Sequence, residues 1–199
     1  GTSRHMKCDM VTEIAATLAF SAMQNNDKIG VIFFSDRIEK YIPPQKGRKH
    51  ILYIIREMLD FHPQSKKTDV GMAVAYLTRV IKRRCTAFLL SDFYDRKDML
   101  QELEIANRKH DIMAIQVYDK RAKALPDIGL MKVRDAESGH EMYIDTSSSR
   151  LRTAHTRYWL DRQAVLGETF AKSNVDWMSV ATDEDYVRSM MALFAKRNR

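Results

Sequence analysis

The chain has 199 residues, of which 45% are hydrophobic, with only 7 glycines and 4 prolines. This composition excludes a disordered chain and predicts one domain with a sizeable core. No apolar run approaches the ~18 residues of a membrane helix, and the polar start does not resemble a signal peptide. Cys8 and Cys85 fit no CxxC pattern, which favours a reducing compartment and no structural disulfide. We therefore expect a cytoplasmic protein without membrane attachment.

The formal net charge of +7 arises from a few basic segments. Residues 28–67 contain nine Lys or Arg against four Asp or Glu, and further clusters lie at 79–84 and at the C-terminus. Such a surface suits nucleic acid, anionic lipid or an acidic protein. Aromatic residues do not interleave with the clusters as single-strand binding requires, which favours solvated helix faces.

The apolar periodicity predicts helices and strands in alternation. The first half of the chain has a helix at about 7–25, a buried strand at 29–34, an alternating edge strand at 38–42, a helix at 47–60, a helix at 69–82 and a buried strand at 86–90. The second half has a helix at 99–106, a buried strand at 112–117, a hairpin at 130–133 and 141–144, a helix at 149–171, a strand at 175–180 and a last helix.

Runs that are apolar at almost every position are typical of parallel strands covered by helices on both faces. The sequence therefore predicts a doubly wound α/β sheet. The helix at 149–171 carries apolar residues near one face, and the last helix has a capping-box pattern between Thr182 and Asp185. We expect the buried faces of these two helices to be Leu151, Ala154, Tyr158, Val165 and Phe170, and Val187, Met190, Met191 and Phe194.

Several common chemistries are missing from the sequence. There is no GxGxxG, GxxxxGK[ST], HExxH or GxSxG pattern, which excludes the usual phosphate cradles, zincins and serine hydrolases. The six histidines lie in separate segments without metal-ligand spacing.

Two polar residues come where an open α/β sheet binds ligands, beyond the carboxyl ends of its strands. Asp92 follows the strand at 86–90, and Thr68 precedes the helix at 69–82. A hydroxyl and a carboxylate from two loops suit a hard cation such as Mg²⁺. The alternative is that Thr68 caps its own helix and that Asp92 or Asp95 caps the next one.

Five short segments, in order and spacing over nearly the whole chain, resemble a bacterial family known as domain of unknown function fifty-eight. They are residues 26–36 (NDKIGVIFFSD), 42–47 (IPPQKG), 68–69 (TD), 89–93 (LLSDF) and 182–187 (TDEDYV). The resemblance implies a Rossmann-like three-layer sandwich of the von Willebrand factor A type. Its sheet would be mostly parallel, with an antiparallel edge strand.

The same resemblance implies a metal-ion-dependent adhesion site made by three loops, of which the second and third correspond to Thr68 and Asp92. The first loop, Asp-x-Ser-x-Ser, is absent, and Ser3 is not preceded by an aspartate. Residues 1–199 are therefore expected to form a single domain that is the C-terminal part of a longer protein. Its metal site would be partial, with Mg²⁺ in the full-length protein and no cofactor in this chain.

The central first strand of such a sheet would also be missing, between the strands at 29–34 and 86–90. Unpaired buried backbone groups cost about 1–3 kcal/mol each. We expect either that the two flanking strands close up on each other or that a second copy fills the slot as a homodimer.

The leading functional hypothesis is a non-enzymatic protein-interaction module. The resemblance implies a MoxR-type AAA+ ATPase as the partner, and assembly or metal insertion of client proteins as the task. The alternatives are a nucleic-acid-binding domain that uses the basic clusters at 46–50, 66–67 and 79–84, and a Mg²⁺-dependent hydrolase that uses Asp92 and Asp95.

Overall fold

A computed structural model of the protein describes residues 7–95, 97–134 and 140–197. Its elements are α1 (Lys7–Gln24), β1 (Ile29–Phe34), β2 (Ile38–Gln45), α2 (Arg48–Leu59), α3 (Val70–Val80), β3 (Thr86–Ser91), α4 (Leu100–Lys109), β4 (Asp111–Tyr118), α5 (Lys120–Lys123), β5 (Leu130–Arg134), β6 (Glu141–Asp145), α6 (Ser149–Lys172), β7 (Asp176–Ala181) and α7 (Tyr186–Arg197). The predicted order is confirmed, with the short α5 as the addition. Ser3 and the hairpin residues 135–139 lie outside the described residues.

The centre of the fold is a parallel sheet with the strand order β3-β4-β7. β4 is the inner strand, and all six residues from Ile112 to Val117 are buried. Its one polar member, Gln116, donates from Nε2 to the Asp92 carbonyl oxygen (3.2 Å) and accepts from Ser179 Oγ (2.8 Å). The run at 112–117 thus forms the buried strand that its composition predicted, and it is the inner strand of this sheet.

Helices cover both faces of this sheet, and the alternation of side chains along the strands divides the core into two clusters. On one face, α3, α4 and α6 pack against Ala114 and Ile112. On the other face, α1 and α7 pack against Met113, Ile115 and Val117. The predicted α/β architecture, with helices in two outer layers, is confirmed.

The β1–β2 hairpin forms a separate antiparallel sheet that packs on α2 through Phe33, Ile42 and Ile54. The antiparallel partner predicted for β1 is therefore confirmed. β1 and β3 lie in different sheets, so the expectation that these two strands close up on each other is wrong. β3 is left with one unpaired edge among the described residues.

The exposure of β3 reflects that open edge. Ala87 and Leu89 pack into one core cluster and Phe88 and Leu90 into the other, as in an inner strand. None of the residues of β3 is fully buried, in contrast to those of β4. A second copy in this position stays a prediction.

The buried face of α6 differs from the prediction. Leu166 and Phe170 are buried, but Tyr158 and Val165 are 52% and 64% exposed. The first half of this helix is half-buried on the side of Trp159, whose ring lies 5.4 Å from that of Tyr118, and it contacts the short α5. The predicted face, with Tyr158, points away from these contacts.

The last helix also begins later than its sequence pattern indicated. α7 starts at Tyr186, and the Val187 N–H donates to Asp185 Oδ1 (2.9 Å). Tyr186, Met190 and Leu193 form its buried face, while Val187 and Met191 are 42% and 66% exposed. None of the helices in the described stretches has the length and apolarity needed to span a membrane.

Candidate functional site

Three loops meet at the carboxyl end of the parallel sheet, and hydrogen bonds from backbone N–H groups join them. The Asp69 N–H donates to the Ser35 carbonyl oxygen (3.0 Å), which links the start of α3 to the end of β1. The Val70 N–H donates to Asp95 Oδ2 (2.8 Å), which links it to the loop after β3. We call residues 35–36, 65–70, 91–95 and Lys97 the loop cluster. The segments that carry Thr68 and Asp92 both belong to it.

Two carboxylates cap the N-terminus of α3. Asp69 accepts from the Met72 N–H (2.9 Å) and forms an ion pair with Lys97. Asp95 accepts from the Val70 and Lys97 N–H groups (2.8 and 2.9 Å). Burial raises the pKa of Asp69, but the hydrogen bonds from Lys97 and Met72 outweigh it and hold that pKa below its usual range. The positive end of the helix dipole stabilises both charges.

Asp92, the predicted metal ligand, lies beside a lysine. Its Oδ2 accepts from Lys7 Nζ (2.6 Å), and its Oδ1 accepts from the Tyr94 N–H (3.1 Å). The Asp92 side chain is 32% exposed and that of Lys7 is 48% exposed, so this ion pair contributes little to stability. The ion pair nevertheless holds the positively charged ammonium group of Lys7 against the Asp92 carboxylate.

The backbone turns sharply at Phe93, whose φ is 52°. A left-handed conformation in a bulky residue costs about 1–3 kcal/mol and persists only where its surroundings impose it. The Phe93 ring is buried against Phe170 (centroids 5.3 Å apart), and its N–H donates to Ser91 Oγ (3.0 Å). Arg162 donates to the Phe93 carbonyl oxygen (3.2 Å) and lies over the ring of Tyr94, which is 49% exposed.

The donor set falls short of a magnesium site. Mg²⁺ requires close to six oxygen ligands in an octahedron. Both oxygens of Asp92 already accept hydrogen bonds, and the described residues hold no group of three or more acidic, histidine or cysteine ligands. The residues present therefore do not fit a tightly bound Mg²⁺. The roles of Thr68 and Asp92 as metal ligands in a longer protein stay predictions.

The capping alternatives are also corrected by the structure. Asp69, not Thr68, caps α3. Neither Asp92 nor Asp95 caps α4, whose first N–H, at Leu100, donates to Asp98 Oδ1 (3.0 Å). Sequence reasoning missed Asp69 although it stands directly before the helix, where a carboxylate is a strong capping signal. Sequence reasoning also missed Lys97 and the strained backbone at Phe93, because neither produces a recognisable local sequence pattern.

The comparisons with known proteins bear on the family and the fold. The model of the family described as "Protein of unknown function DUF58" matches residues 1–165. The chain belongs to that family, which confirms the membership predicted from the five segments.

Curated relatives include the Uncharacterized protein Rv1480 of Mycobacterium tuberculosis (strain ATCC 25618 / H37Rv), which is 27% identical over 203 residues. That alignment covers 100% of this chain and 63% of the relative, so the chain spans less than two thirds of the relative's length. The Uncharacterized protein MAV169 of Mycobacterium avium is 26% identical over 162 residues, covering 79% of this chain and 94% of that protein.

Two solved structures share the fold. The conserved hypothetical protein BatB from Bacteroides thetaiotaomicron superposes with a TM-score of 0.58 at 12% identity, covering 95% of this chain and 87% of its own. An aerotolerance-related membrane protein from Bacteroides fragilis NCTC 9343 gives a TM-score of 0.58 at 15% identity, covering 94% and 88%. At such identities the likeness is one of fold alone.

Proposed function

We propose that the chain is a non-enzymatic protein-interaction module that presents the loop cluster to its partner. The observation that carries this proposal is the strained backbone at Phe93, since strain of this kind collects at ligand clamps and binding loops. The turn sends the Phe93 ring into the core and leaves Asp92 and Tyr94 accessible on either side of it. The strained backbone therefore shapes this part of the protein surface.

The exposed Tyr94 and the half-buried Arg162 beside this turn have the chemistry of a binding hot spot. Tyrosine and arginine are the residue types that most often dominate protein interfaces. Tyr94 and Arg162 stack with the guanidinium 4.2 Å from the ring centroid, and Arg162 is held by the carbonyl oxygens of Phe93 and Asp95. A partner would meet a pre-ordered surface and would lose little side-chain entropy on it.

The resemblance to the family suggests the partner. A MoxR-type AAA+ ATPase is the proposed partner, acting with this module in the cytoplasm on assembly or metal insertion of client proteins. Because the chain spans only 63% of relatives such as Rv1480, segments outside it would share in the complete activity.

The proposal is tested by calorimetric titration of the chain with a purified MoxR-type ATPase from the same genome. Tyr94→Ala and Asp92→Ala should each weaken binding by at least about tenfold, because truncation of a hot-spot residue costs roughly 2 kcal/mol or more. Tyr53→Ala is the matched control, since Tyr53 is 44% exposed on α2, away from the loop cluster. The partner is wrong if the wild-type chain does not bind, and the surface is wrong if both variants bind as the wild type does.

Neither alternative function gains a specific observation. Of the basic clusters, the one at 66–67 precedes α3 and the one at 79–84 lies at its end, about 16 Å apart along an 11-residue helix, and the one at 46–50 lies at the start of α2. A gel shift at low salt tests nucleic-acid binding, which should weaken steeply as salt is added. For the hydrolase, both oxygens of Asp95 accept backbone hydrogen bonds. Phosphatase activity that survives Asp92→Ala would dismiss that mechanism.

A further inference from the structure

One side of α2 is exposed along the whole length of the helix. Ile51 and Ile54 are buried on the inner side, and Ile54 packs on the β1–β2 hairpin. On the outer side, Leu52 and Leu59 are 48% and 69% exposed and lie nearly in line, about two turns or 10 Å apart along the helix. A row of exposed apolar residues, unlike a single one, indicates a binding surface. We call the exposed residues 46–49, 52, 53, 56, 59 and 60 the outer face of α2.

The charges of the outer face are almost all positive. Residues 46–49 supply three exposed cations, none of which forms an ion pair with another described residue. Arg56 contacts Asp60 (3.7 Å), but these side chains are 81% and 72% exposed, so solvent screens the pair. Glu57 lies outside the face and is half-buried against Lys40 of β2. The outer face thus has four Lys or Arg and one Asp, and charge complementarity selects an anionic occupant.

The position of these cations opposes the stability of the helix. The first turn of α2 contains Arg48 and Lys49 and no acidic residue, and Gly47 caps it without a side-chain hydrogen bond. Positive charge at the start of a helix is unfavourable because it meets the positive end of the helix dipole. A local rule broken in this way, without a compensating contact among the described residues, is typical of a functional surface. Helix stability therefore does not explain the cluster, whereas an external negative charge would.

Cations and leucines alternate along the outer face as they do in a helix that lies on a bilayer. Arg48 and Lys49 stand four and three residues before Leu52, and Arg56 stands three residues before Leu59. Each leucine therefore has a cation on the neighbouring turn. In interfacial helices the leucines enter the boundary between headgroups and acyl chains, while Lys and Arg extend to the phosphates. Because both leucines protrude from the protein surface, a fluid bilayer accommodates them without a shaped pocket.

We propose that the outer face of α2 docks the chain on an anionic phospholipid surface. The cations at 46–49 and Arg56 would bind headgroup phosphates, and Leu52 and Leu59 would enter the acyl-chain boundary. A second copy of the chain would bring like charge to the face, and nucleic acid offers phosphates but no apolar layer for the leucines. The expectation of no membrane attachment concerned a spanning run, which a peripheral contact does not require. The inference does not rest on the proposed function.

The test is co-sedimentation of the full chain with vesicles of phosphatidylcholine alone, or of phosphatidylcholine and phosphatidylglycerol in equal parts, at moderate salt. The mixed vesicles should bind the chain at least about tenfold more tightly, because each Lys or Arg at an anionic surface contributes about fivefold in affinity. Lys49→Glu should weaken this binding at least about tenfold, and Leu52→Ser at least about threefold. The helix dipole favours a glutamate in the first turn, so unfolding would not explain the loss in Lys49→Glu.

Two matched controls lie on α4. Arg108→Glu and Ile105→Ser make the same changes at exposed positions that are also three residues apart on one helix. Both variants should bind the mixed vesicles as the wild type does. Circular dichroism of each variant verifies that the fold is retained.

Absence of binding to the mixed vesicles would overturn the inference. Equal loss in Lys49→Glu and Arg108→Glu would reduce the effect to the overall charge of the chain, and wild-type affinity in Leu52→Ser would leave contact with phosphates alone. Either result would overturn the inference too. Duplex DNA and polyglutamate, compared with the vesicles per negative charge, probe a nucleic acid or an acidic protein as the occupant. Binding of either one as tight as that of the vesicles would exclude the phospholipid surface as the specific occupant.

Discussion

Replacing Asp69 with alanine removes two interactions that fix the start of α3 in the loop cluster. One is the cap to the Met72 N–H (2.9 Å), and a lost cap costs about 1 kcal/mol. The other is the ion pair with Lys97, whose side chain is 67% exposed, so solvent screening limits its contribution to about 0.5–1 kcal/mol. For a protein of this size, about 2 kcal/mol lowers Tm by roughly 4–8 °C.

Asp69→Asn separates the two interactions, because its side-chain oxygen still accepts from Met72 while the charge is lost. We expect this variant to lose only about 0.5–1 kcal/mol, the contribution of the screened ion pair. Thermal unfolding followed by circular dichroism at neutral pH measures both changes. The pKa of Asp69 lies below its usual 3.8. The difference in Tm between wild type and Asp69→Ala should therefore have its full size above pH 3.8 and should become smaller as the pH falls further. An alanine variant as stable as the wild type, or an asparagine variant as unstable as the alanine one, would refute this description of the loop cluster.

Two further predictions concern the sheet and its buried histidine. His110 is fully buried, its Nε2 has no partner among the described residues, and burial lowers its pKa below the usual 6.5. The unfolded chain then binds more protons than the folded one below about pH 6.5, so stability should fall as the pH drops through that value, and His110→Gln should flatten the dependence of the urea midpoint on pH. A slope unchanged in the variant would contradict this assignment. The unpaired edge of β3 predicts a dimer in which a second copy protects its backbone groups. Sedimentation equilibrium should give twice the chain mass with slow amide exchange in β3, whereas a monomer with fast exchange there would exclude it.

Much of the fold could be predicted because apolar patterning reports directly on burial. The run at 112–117, apolar except for Gln116, predicted a buried strand, and the structure places β4 between β3 and β7 with this run buried. The same reasoning failed for α6, where Tyr158 and Val165 are exposed. Apolar residues at helical spacing indicate that one face of a helix is covered, but they do not identify the element that covers it.

The site could be predicted only at the level of loops. The rule that ligands bind beyond the carboxyl ends of parallel strands led to the segments of Thr68 and Asp92, and the loop cluster forms there. The ion pair between Asp69 and Lys97 joins residues 28 positions apart, so no local sequence pattern predicts it. Phe170 and Arg162, both on α6, hold Phe93 at its positive φ. This conformation depends on tertiary contacts and cannot be predicted from local backbone propensity.

Hydrogen–deuterium exchange of the chain, free and mixed with the purified MoxR-type ATPase, tests the central claim most directly, since it maps the contact surface without any substitution. The proposed function predicts slower exchange in residues 91–95 and 65–70, at the loop cluster, when the partner is present. Protection confined to other parts of the chain, or no change at a partner concentration that saturates the calorimetric titration, would contradict it.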